Sequence, residues 1–188
     1  MFDRYLNTQR RHKAFVSYHH ARDQGYRDRF ERLFAHNHDI MVSRSVQIGD
    51  IPPYLTTETV RQKIRDEYLS DSTVTVVLIG METWQRKHVD WEIASSIRHT
   101  GFNPRSGLLG ILLPSYQKPS PDEYRPSTIP PRLYDNIKCE FASIHNWSED
   151  PEKVSTWIHE AFLRRNKVTP DNSFPTFAHN RTGFQWQR

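Results

Sequence analysis

The chain has 188 residues, a formal net charge of +4, and enough hydrophobic (36%) and aromatic (12%) residues to bury a core. The small, dispersed charge excess does not indicate a nucleic-acid-binding protein. The single cysteine, Cys139, excludes an intrachain disulfide framework and favours a cytoplasmic protein. No apolar run is long enough for a transmembrane helix, and the N-terminus lacks the apolar core of a secretory signal, so we expect no membrane partner.

The first part of the chain alternates short apolar runs with helical periods, which is typical of α/β proteins. After a polar leader at 1–12, the predicted elements are a strand at 13–18, a loop at 19–25, a helix that begins at Tyr26, a strand at 40–42, a turn-rich loop at 46–54 and a helix at 55–69. A third strand and a third helix follow directly.

The most informative stretch begins at Val74. Its first six residues, VTVVLI, are β-branched or apolar and are followed by Gly80, as expected of a strand that is buried on both faces. Val89 and Ile93 then begin an apolar stripe, which predicts a helix. We expect this helix to end at Gly101, because glycine is favoured just after the last turn.

Glu92 is the candidate functional residue of that helix. It lies about 100° around the helix from the apolar stripe, and it shares a line with His88, four residues earlier. In an open α/β sheet, ligands bind in the crevice beyond the carboxyl ends of the strands, and a carboxylate on the following helix can face that crevice. The alternative interpretation is a solvated surface glutamate.

The remainder of the chain predicts two more strands, at 108–113 and 141–147. Between them, 114–131 contains six prolines, and we predict an ordered but irregular insertion there. Asp150 is predicted to cap a helix whose first position is Pro151, and this helix has the cleanest amphipathic pattern in the chain.

Five strands that alternate with helices predict an α/β fold with a doubly wound, mainly parallel sheet, because parallel neighbours need helical crossovers. We expect the strand order 2-1-3-4-5, with ligands near strands one and three. The domain is predicted to span 13–166. The tail at 167–188 has no periodicity but several aromatic residues, so it either packs back on the domain or serves as a contact arm.

The chain has neither a glycine-rich phosphate motif nor a nucleophile elbow, so its chemistry must come from other groups. The polar side chains expected at the carboxyl edge of the sheet are Ser17, Tyr18, His19, Ser43, Ser45 and Glu92. One carboxylate among hydroxyls suits an electrophilic sugar, and cleavage of an N-glycosidic bond passes through an oxocarbenium-like transition state. A carboxylate about 4 Å from that cation contributes roughly 4 kcal/mol at an effective dielectric of about 20, or about a thousandfold in rate.

Two segments of the chain, AFVSYHHARD from Ala14 and STVTVVLIGMETWQRKHVDWEIASSI from Ser72, resemble the TIR-like domain of bacterial Thoeris anti-phage defence proteins. The likeness covers 13–113. It implies a flavodoxin-like TIR fold and cleavage of NAD⁺ with release of nicotinamide. Members of this family make cyclic ADP-ribose isomers that signal to a separate effector after phage infection.

The resemblance also implies roles for individual residues. By position, Glu92 corresponds to the catalytic glutamate, and Ser17, Tyr18 and His19 correspond to the first-strand segment that lines the nucleotide pocket. NAD⁺ is then a substrate, and neither a metal nor a separate cofactor is needed, because nicotinamide leaves as a neutral molecule. The resemblance further implies self-association into composite sites and a regulatory trigger such as a phage protein.

Two departures from the family pattern affect the expected substrate site. His88 stands where relatives have a tryptophan four residues before the glutamate, so Trp91, beside Glu92, or Trp84, upstream, is expected to supply aromatic surface. Ser43, Arg44 and Ser45 replace a second-strand end that is often Asp-x-Ser in relatives. We assign Trp84, His88, Ser43, Arg44 and Ser45 to substrate binding, with Arg44 at the diphosphate.

Two other functions compete with this one. A non-catalytic TIR-type scaffold would recruit a partner through exposed loops, and the proline-rich insertion and the aromatic tail would suit it. A receiver-like phosphoacceptor is the third interpretation, but the first strand ends in Ser17 and Tyr18 without an acidic pair. Glu92 distinguishes the enzyme from the scaffold, because a scaffold does not require a carboxylate at this position.

Overall fold

The computed structural model describes residues 11–44, 55–101 and 103–187. Its strands are β1 (His12–Ser17), β2 (Met41–Arg44), β3 (Val74–Ile79), β4 (Gly107–Leu112) and β5 (Ala142–Asn146). Its α-helices are α1 (His20–Glu31), α2 (Thr57–Lys63), α3 (Lys87–Ser96), α4 (Pro131–Lys138) and α5 (Pro151–Arg164). Two π-helical segments, Arg32–Asn37 and Ile64–Leu69, extend α1 and α2. Most of the predicted leader, the loop at 46–54 and Ser45 lie outside the described residues.

All strand pairs are parallel, and the order in the sheet is β2-β1-β3-β4-β5. Every residue of β3 is buried, as the unbroken apolar run predicts for a central strand covered by helices on both faces. Side chains of β3 alternate between two cores. Val76 and Leu78 pack with α1 and α5, whereas Val77 and Ile79 pack with α3 and α4. The predicted doubly wound α/β fold and strand order are confirmed.

Three element boundaries differ from the sequence-based prediction. Helix α1 begins at His20, so 19–25 is mostly helical; the apolar periodicity starts only at Tyr26 because the first turn carries polar side chains. Helix α3 ends at Ser96, and its C-cap residue Ile97 donates its N–H to Ile93 O, so the helix does not reach Gly101. Helix α4 was not predicted, since it has only eight residues and follows directly on the proline-rich insertion.

Gly80 brings α1 close to the end of β3. A Cβ atom at this position would lie 2.4 Å from Oδ2 of Asp23, which is too close for any side chain. Asp23 is buried there, and it accepts weak hydrogen bonds from Thr83 Oγ1 (3.4 Å) and Ser115 Oγ (3.5 Å). Because Gly80 has no side chain, Asp23 in the first turn of α1 can pack directly on the turn that leads into α3.

The tail packs back on the domain, which is the first of the two predicted alternatives. We call residues 171–187 the C-terminal strap. Its aromatic residues Phe174 and Phe177 are buried, and Trp186 Nε1 donates to Ile129 O at 2.7 Å. The proline-rich insertion is also ordered, because Tyr116 OH bonds both Thr128 Oγ1 (2.7 Å) and the Arg125 N–H (3.0 Å).

Candidate active site

Strand β1 and helix α3 bring two distant residues into direct contact. Ser17, the last residue of β1, donates a hydrogen bond of 2.5 Å from Oγ to Oε2 of Glu92 in α3. Ser17 is fully buried and Glu92 is 2% exposed. A carboxyl group buried with one hydroxyl partner is costly to the fold when it is charged, which is a common property of functional sites.

Burial raises the pKa of Glu92 to about 8, and the hydrogen bond from Ser17 acts in the opposite direction because it favours the charged form. At neutral pH most molecules therefore carry a protonated Glu92 in the empty site. A positive charge brought next to the carboxyl group would reverse this balance and favour ionisation.

A pocket of about 180 Å³ opens beside this pair, at the carboxyl edge of the sheet. Its lining residues are Tyr18, His19, His20, Ala21, Arg86, His88 and Asn180. Ser17 directly precedes Tyr18, and Glu92 follows His88 by one helical turn. The hydrogen-bonded pair thus lies immediately behind the wall of this pocket.

Two helices begin at the pocket, and both favour an anion there. Residues His20 and Lys87 start α1 and α3, and neither N-cap residue bonds its helix through a side chain. The Lys87 N–H already donates to Asn180 Oδ1 at 3.0 Å, so α3 offers the N–H groups that follow it. The first N–H groups of a helix have no partner within the helix and carry partial positive charge. Anions are therefore stabilised where two such helix starts meet.

His19 and Arg86 add side-chain donors to the same pocket. The His19 side chain is 6% exposed, and its Nε2 has no hydrogen-bond partner among the described residues; the nearest acidic atom, Oε2 of Glu82, is 3.7 Å away. Nε of Arg86 also lacks a described partner. Burial, and then the charge of Arg86, lowers the pKa of His19, so its ring is neutral at pH 7. Arg86 Nε is a donor, whereas His19 Nε2 donates only in the tautomer or charge state that places a proton on it.

His88 forms the opposite side of the pocket mouth, where its ring meets that of Trp91 edge-on, at 5.3 Å between centroids. The surrounding protein, and then Lys87, lowers the pKa of His88, so it presents a neutral ring. Trp91 is buried, and its Nε1 donates to Phe177 O of the C-terminal strap at 2.8 Å. Trp91 thus provides an aromatic surface beside position 88, where this chain has histidine in place of the tryptophan of the resembling family.

Three of the residues assigned to substrate binding, Ser43, Arg44 and Trp84, do not line the pocket beside Glu92. β2 pairs Arg44 with Phe15 and so stops below the level of Ser17 in the sheet. Ser43 Oγ therefore donates to Glu31, and Arg44 forms an ion pair of 3.5 Å with Asp71. Ser43 and Arg44 therefore do not line the Glu92 pocket, and their assignment to substrate binding stays a prediction.

Trp84 is likewise absent from the Glu92 pocket. It is buried in the turn between β3 and α3 and lines a separate cleft, together with Tyr116 and Phe184. It lies in the 3₁₀ turn Thr83–Gln85. Ser45, the remaining predicted contact, lies outside the described residues.

Sequence reasoning missed four lining residues of the pocket: His20, Ala21, Arg86 and Asn180. Arg86 directly precedes α3, and its position before the predicted helix could have marked it. Asn180 gave no local signal, because it reaches the pocket only through the fold of the C-terminal strap. Its Oδ1 accepts the Lys87 N–H at 3.0 Å and thereby caps α3 from 93 positions away.

Comparison with known proteins identifies the family. In the part of the chain that the structure describes, there is no cluster of three metal-binding side chains, and no helix has the length and apolarity to cross a membrane. No curated protein matches the chain. A family model described as "Thoeris protein ThsB, TIR-like domain" matches residues 15–118, a range that contains Ser17 and Glu92 but ends before α4 and the C-terminal strap. Because this match covers more than half of a chain with the expected fold, the protein belongs to the TIR-like family of the Thoeris defence protein ThsB.

Proposed function

We propose that this protein cleaves the bond between nicotinamide and ribose in NAD⁺ and releases an ADP-ribose product, cyclic in the expected case, that activates a separate effector in anti-phage defence. The observation that carries the proposal is the buried Glu92 carboxyl, bonded to Ser17 immediately behind a pocket with two helix N-termini. The chain's membership of the Thoeris TIR-like family supports it.

The charges of the pocket suit the charges of NAD⁺. Its diphosphate carries negative charge and matches the helix starts at His20 and Lys87, together with the donors of His19 and Arg86. Its nicotinamide ring carries positive charge and belongs near Glu92. The approach of that cation lowers the pKa of Glu92, so substrate binding itself converts the carboxyl group to the charged form.

The reaction requires only groups that this arrangement supplies. The bond between ribose C1′ and the nicotinamide nitrogen breaks, and its electron pair stays on the nitrogen, so nicotinamide leaves as a neutral molecule. The Glu92 carboxylate stabilises the ribosyl cation, by roughly 4 kcal/mol at about 4 Å and an effective dielectric of about 20. Water, or a nucleophilic group of the same nucleotide, then captures the cation and loses a proton. NAD⁺ is the substrate in this scheme, and we propose no metal or separate cofactor.

We include self-association in the proposal. The pocket measures about 180 Å³, whereas sites for drug-sized ligands usually measure about 300–1,000 Å³. A dinucleotide therefore needs surface beyond this pocket, and a second copy of the chain can provide part of it. A trigger such as a phage protein would then act by shifting the assembly equilibrium.

The test is nicotinamide release from NAD⁺ by concentrated protein, with the nucleotide product identified by mass spectrometry. Glu92→Gln keeps the volume and a hydrogen-bond acceptor for Ser17 but cannot carry the charge. Glu160→Gln, on the surface of α5, is the matched control. We expect release by the wild type and by the control, and a loss of at least about a thousandfold in folded Glu92→Gln.

Equal release by the wild type and Glu92→Gln would remove Glu92 from the mechanism. A wild type that neither releases nicotinamide nor binds NAD⁺ would favour the scaffold. The two segments expected to serve a scaffold, the insertion and the tail, are largely packed on the domain through Tyr116, Phe174 and Trp186. The insertion and the tail therefore leave less exposed surface for binding a partner than the sequence suggested.

A further inference from the structure

A second cleft, of about 270 Å³, opens at the carboxyl ends of β3 and β4. Three segments line it: the turn before α3 with Trp84 and Gln85, the start of the proline-rich insertion with Tyr116 and Arg125, and the C-terminal strap with Phe184. None of these residues belongs to the pocket beside Glu92. The cleft is thus a distinct cavity whose occupant the Glu92 chemistry does not explain.

Phe184 is the most unusual residue of this cleft, because 97% of it is exposed. Its exposure does not come from a loose backbone. Gln85 Nε2 donates to Gly183 O at 2.9 Å on one side, and the Trp186 N–H donates to Ser127 O at 2.9 Å on the other. Gly183 has a φ of +95°, which a residue with a side chain rarely adopts. The backbone is therefore shaped and fixed so that it presents an aromatic ring to solvent.

Two polar side chains that line the same cleft as Phe184 also have no partner among the described residues. The Arg125 guanidinium is exposed and forms no ion pair or hydrogen bond with any described residue, and the same holds for the Gln117 amide. These groups suit a nucleotide. An aromatic ring stacks on a base, a guanidinium binds a phosphate through charge and planar hydrogen bonds, and an amide bonds the sugar.

The cleft adjoins the Glu92 pocket along its length. In the turn before α3, Gln85 lines the cleft and Arg86 lines the pocket; in the strap, Gly183 lines the cleft and Asn180 the pocket. Glu82 lines the cleft, and its Oε2 lies 3.7 Å from Nε2 of His19 in the pocket; Arg22 neutralises Glu82 through an ion pair of 3.0 Å. Neither cavity alone reaches the roughly 300 Å³ of a typical ligand site, but together they exceed it.

We propose that this cleft is the adenosine subsite of the dinucleotide, with the adenine base stacked on Phe184 and the adjoining ribose and phosphate met by Gln117 and Arg125. The inference rests on the proposed function, because it takes NAD⁺ as the ligand and places its nicotinamide ribose at Glu92. It assigns the recognition of the adenosine half to a residue outside the family-matched range, on the C-terminal strap.

The test uses the two halves of the substrate as probes. AMP and nicotinamide mononucleotide are titrated separately into the full chain by calorimetry, for the wild type, Phe184→Ala, Phe184→Trp and Arg125→Gln. We expect Phe184→Ala to weaken AMP binding about tenfold and to leave nicotinamide mononucleotide binding unchanged, since loss of one base stack has an effect of this size. Phe184→Trp should keep the AMP affinity. Because Phe184 is exposed, its removal should leave the melting temperature unchanged.

Each contrary result has one meaning. Equal AMP affinity in the wild type and Phe184→Ala would overturn the adenosine subsite while leaving the proposed function intact, provided that NAD⁺ still binds. A wild type that binds neither half nor NAD⁺ would overturn the proposed function and this inference together. If Phe184→Ala lowers the sedimentation mass without changing the AMP affinity, Phe184 contacts a second copy of the chain, and the subsite is likewise overturned.

Discussion

Glu92 holds a proton that the proposed reaction requires it to lose. Burial alone would keep the carboxyl neutral, and the hydrogen bond from Ser17 is the one interaction that favours its charged form. The opposing effects leave its pKa at about 8, close enough to pH 7 that a cation bound beside it would make the ionised carboxylate the main form. Ser17 is therefore a positioning residue that sets when Glu92 becomes charged.

Replacing Ser17 by alanine should move the pH dependence of the reaction upwards. In the wild type, kcat/KM should rise with pH to a midpoint near 8, the pKa of Glu92 in the free enzyme. Loss of the Ser17 hydrogen bond raises that pKa by about one unit, since such a bond to a charged group stabilises by about 1.5 kcal/mol or more. Ser43→Ala removes a hydroxyl that bonds Glu31 instead, so its profile should match the wild type. An unshifted midpoint in Ser17→Ala would contradict this role.

The candidate site shows which residues a sequence can reveal and which it cannot. Ser17, Tyr18, His19 and Glu92 were predictable, because the ends of neighbouring parallel strands and the following helix must meet at one edge of the sheet. Asn180 was not, because nothing local links it to α3. Their functional roles remain predictions for the tests above.

At the scale of elements, one buried arginine joins two helices to the C-terminal strap. Arg132 of α4 is 1% exposed, and its Nε lies 2.9 Å from Oδ1 of Asp90 in α3. Its Nη1 donates to Asn172 Oδ1 at 2.7 Å and its Nη2 to Phe174 O at 2.7 Å. Oδ2 of Asp90 in turn accepts the Phe177 N–H at 3.0 Å. Every charged atom of the pair is thus matched.

Arg132→Met should cost about 3–5 kcal/mol of unfolding free energy, because it leaves the buried Asp90 charge without its cation. Urea unfolding measures the loss, and hydrogen exchange at the Phe177 N–H should become faster. Arg29→Met is the matched control: Arg29 pairs with Glu149 at the surface, where solvent screens the ion pair and its loss costs little. Equal costs for the two variants would contradict the anchoring role of Arg132.

Asn180 allows the cap of α3 to be separated from ligand binding. Asn180→Ala should lower stability by about 1 kcal/mol, since the Lys87 N–H loses its acceptor. Asn180→Asp keeps an acceptor and restores that stability, but it places a negative charge in the pocket proposed for the diphosphate. NAD⁺ binding measured by calorimetry should therefore be weaker in Asn180→Asp than in the wild type. Unchanged NAD⁺ affinity in Asn180→Asp would show that the diphosphate lies elsewhere.

The elements themselves were predictable wherever apolar spacing marks them. β3 and α5 matched the prediction because a six-residue apolar run and a capped amphipathic period are strong local signals. The start of α1, the short helix α4 and the C-terminal strap were not marked in this way. Their conformations depend on contacts with distant residues, such as Asp23 against Gly80 and Arg132 against Asp90.

At the scale of the whole molecule, buried titratable groups predict a broad stability maximum between about pH 4.5 and 6.5, followed by a decline towards pH 8. Burial lowers the pKa of His145 to about 4, so stability that is present above the ordinary value of 6.5 is lost as the pH falls towards 4. Glu92 acts in the opposite sense: its folded pKa of about 8 lies above the ordinary 4.5, so stability is lost as the pH rises from 4.5 to 8, and the two effects oppose each other below pH 6.5. His88 acts with His145, but more weakly because its ring is exposed.

Glu92→Gln should therefore be more stable than the wild type at pH 8, and its stability should no longer fall between pH 6.5 and 8. The slope removed is about 1.4 kcal/mol per pH unit, the limit for one group that is protonated only in the folded state. Urea unfolding at several pH values measures it, with Glu160→Gln as the exposed control. A variant that loses stability as steeply as the wild type would show that Glu92 is not held neutral.

The C-terminal strap also determines when, during synthesis of the chain, the proposed active site is complete. A ribosome completes the family-matched residues 15–118 before it begins the strap, which starts at residue 171. Until then α3 has no cap from Asn180, Asp90 has no Phe177 N–H to accept, and Phe184 is missing from the second cleft. A nascent chain that already contains Glu92 thus lacks part of the proposed site. If the proposed function is correct, a fragment released by interrupted synthesis should not cleave NAD⁺.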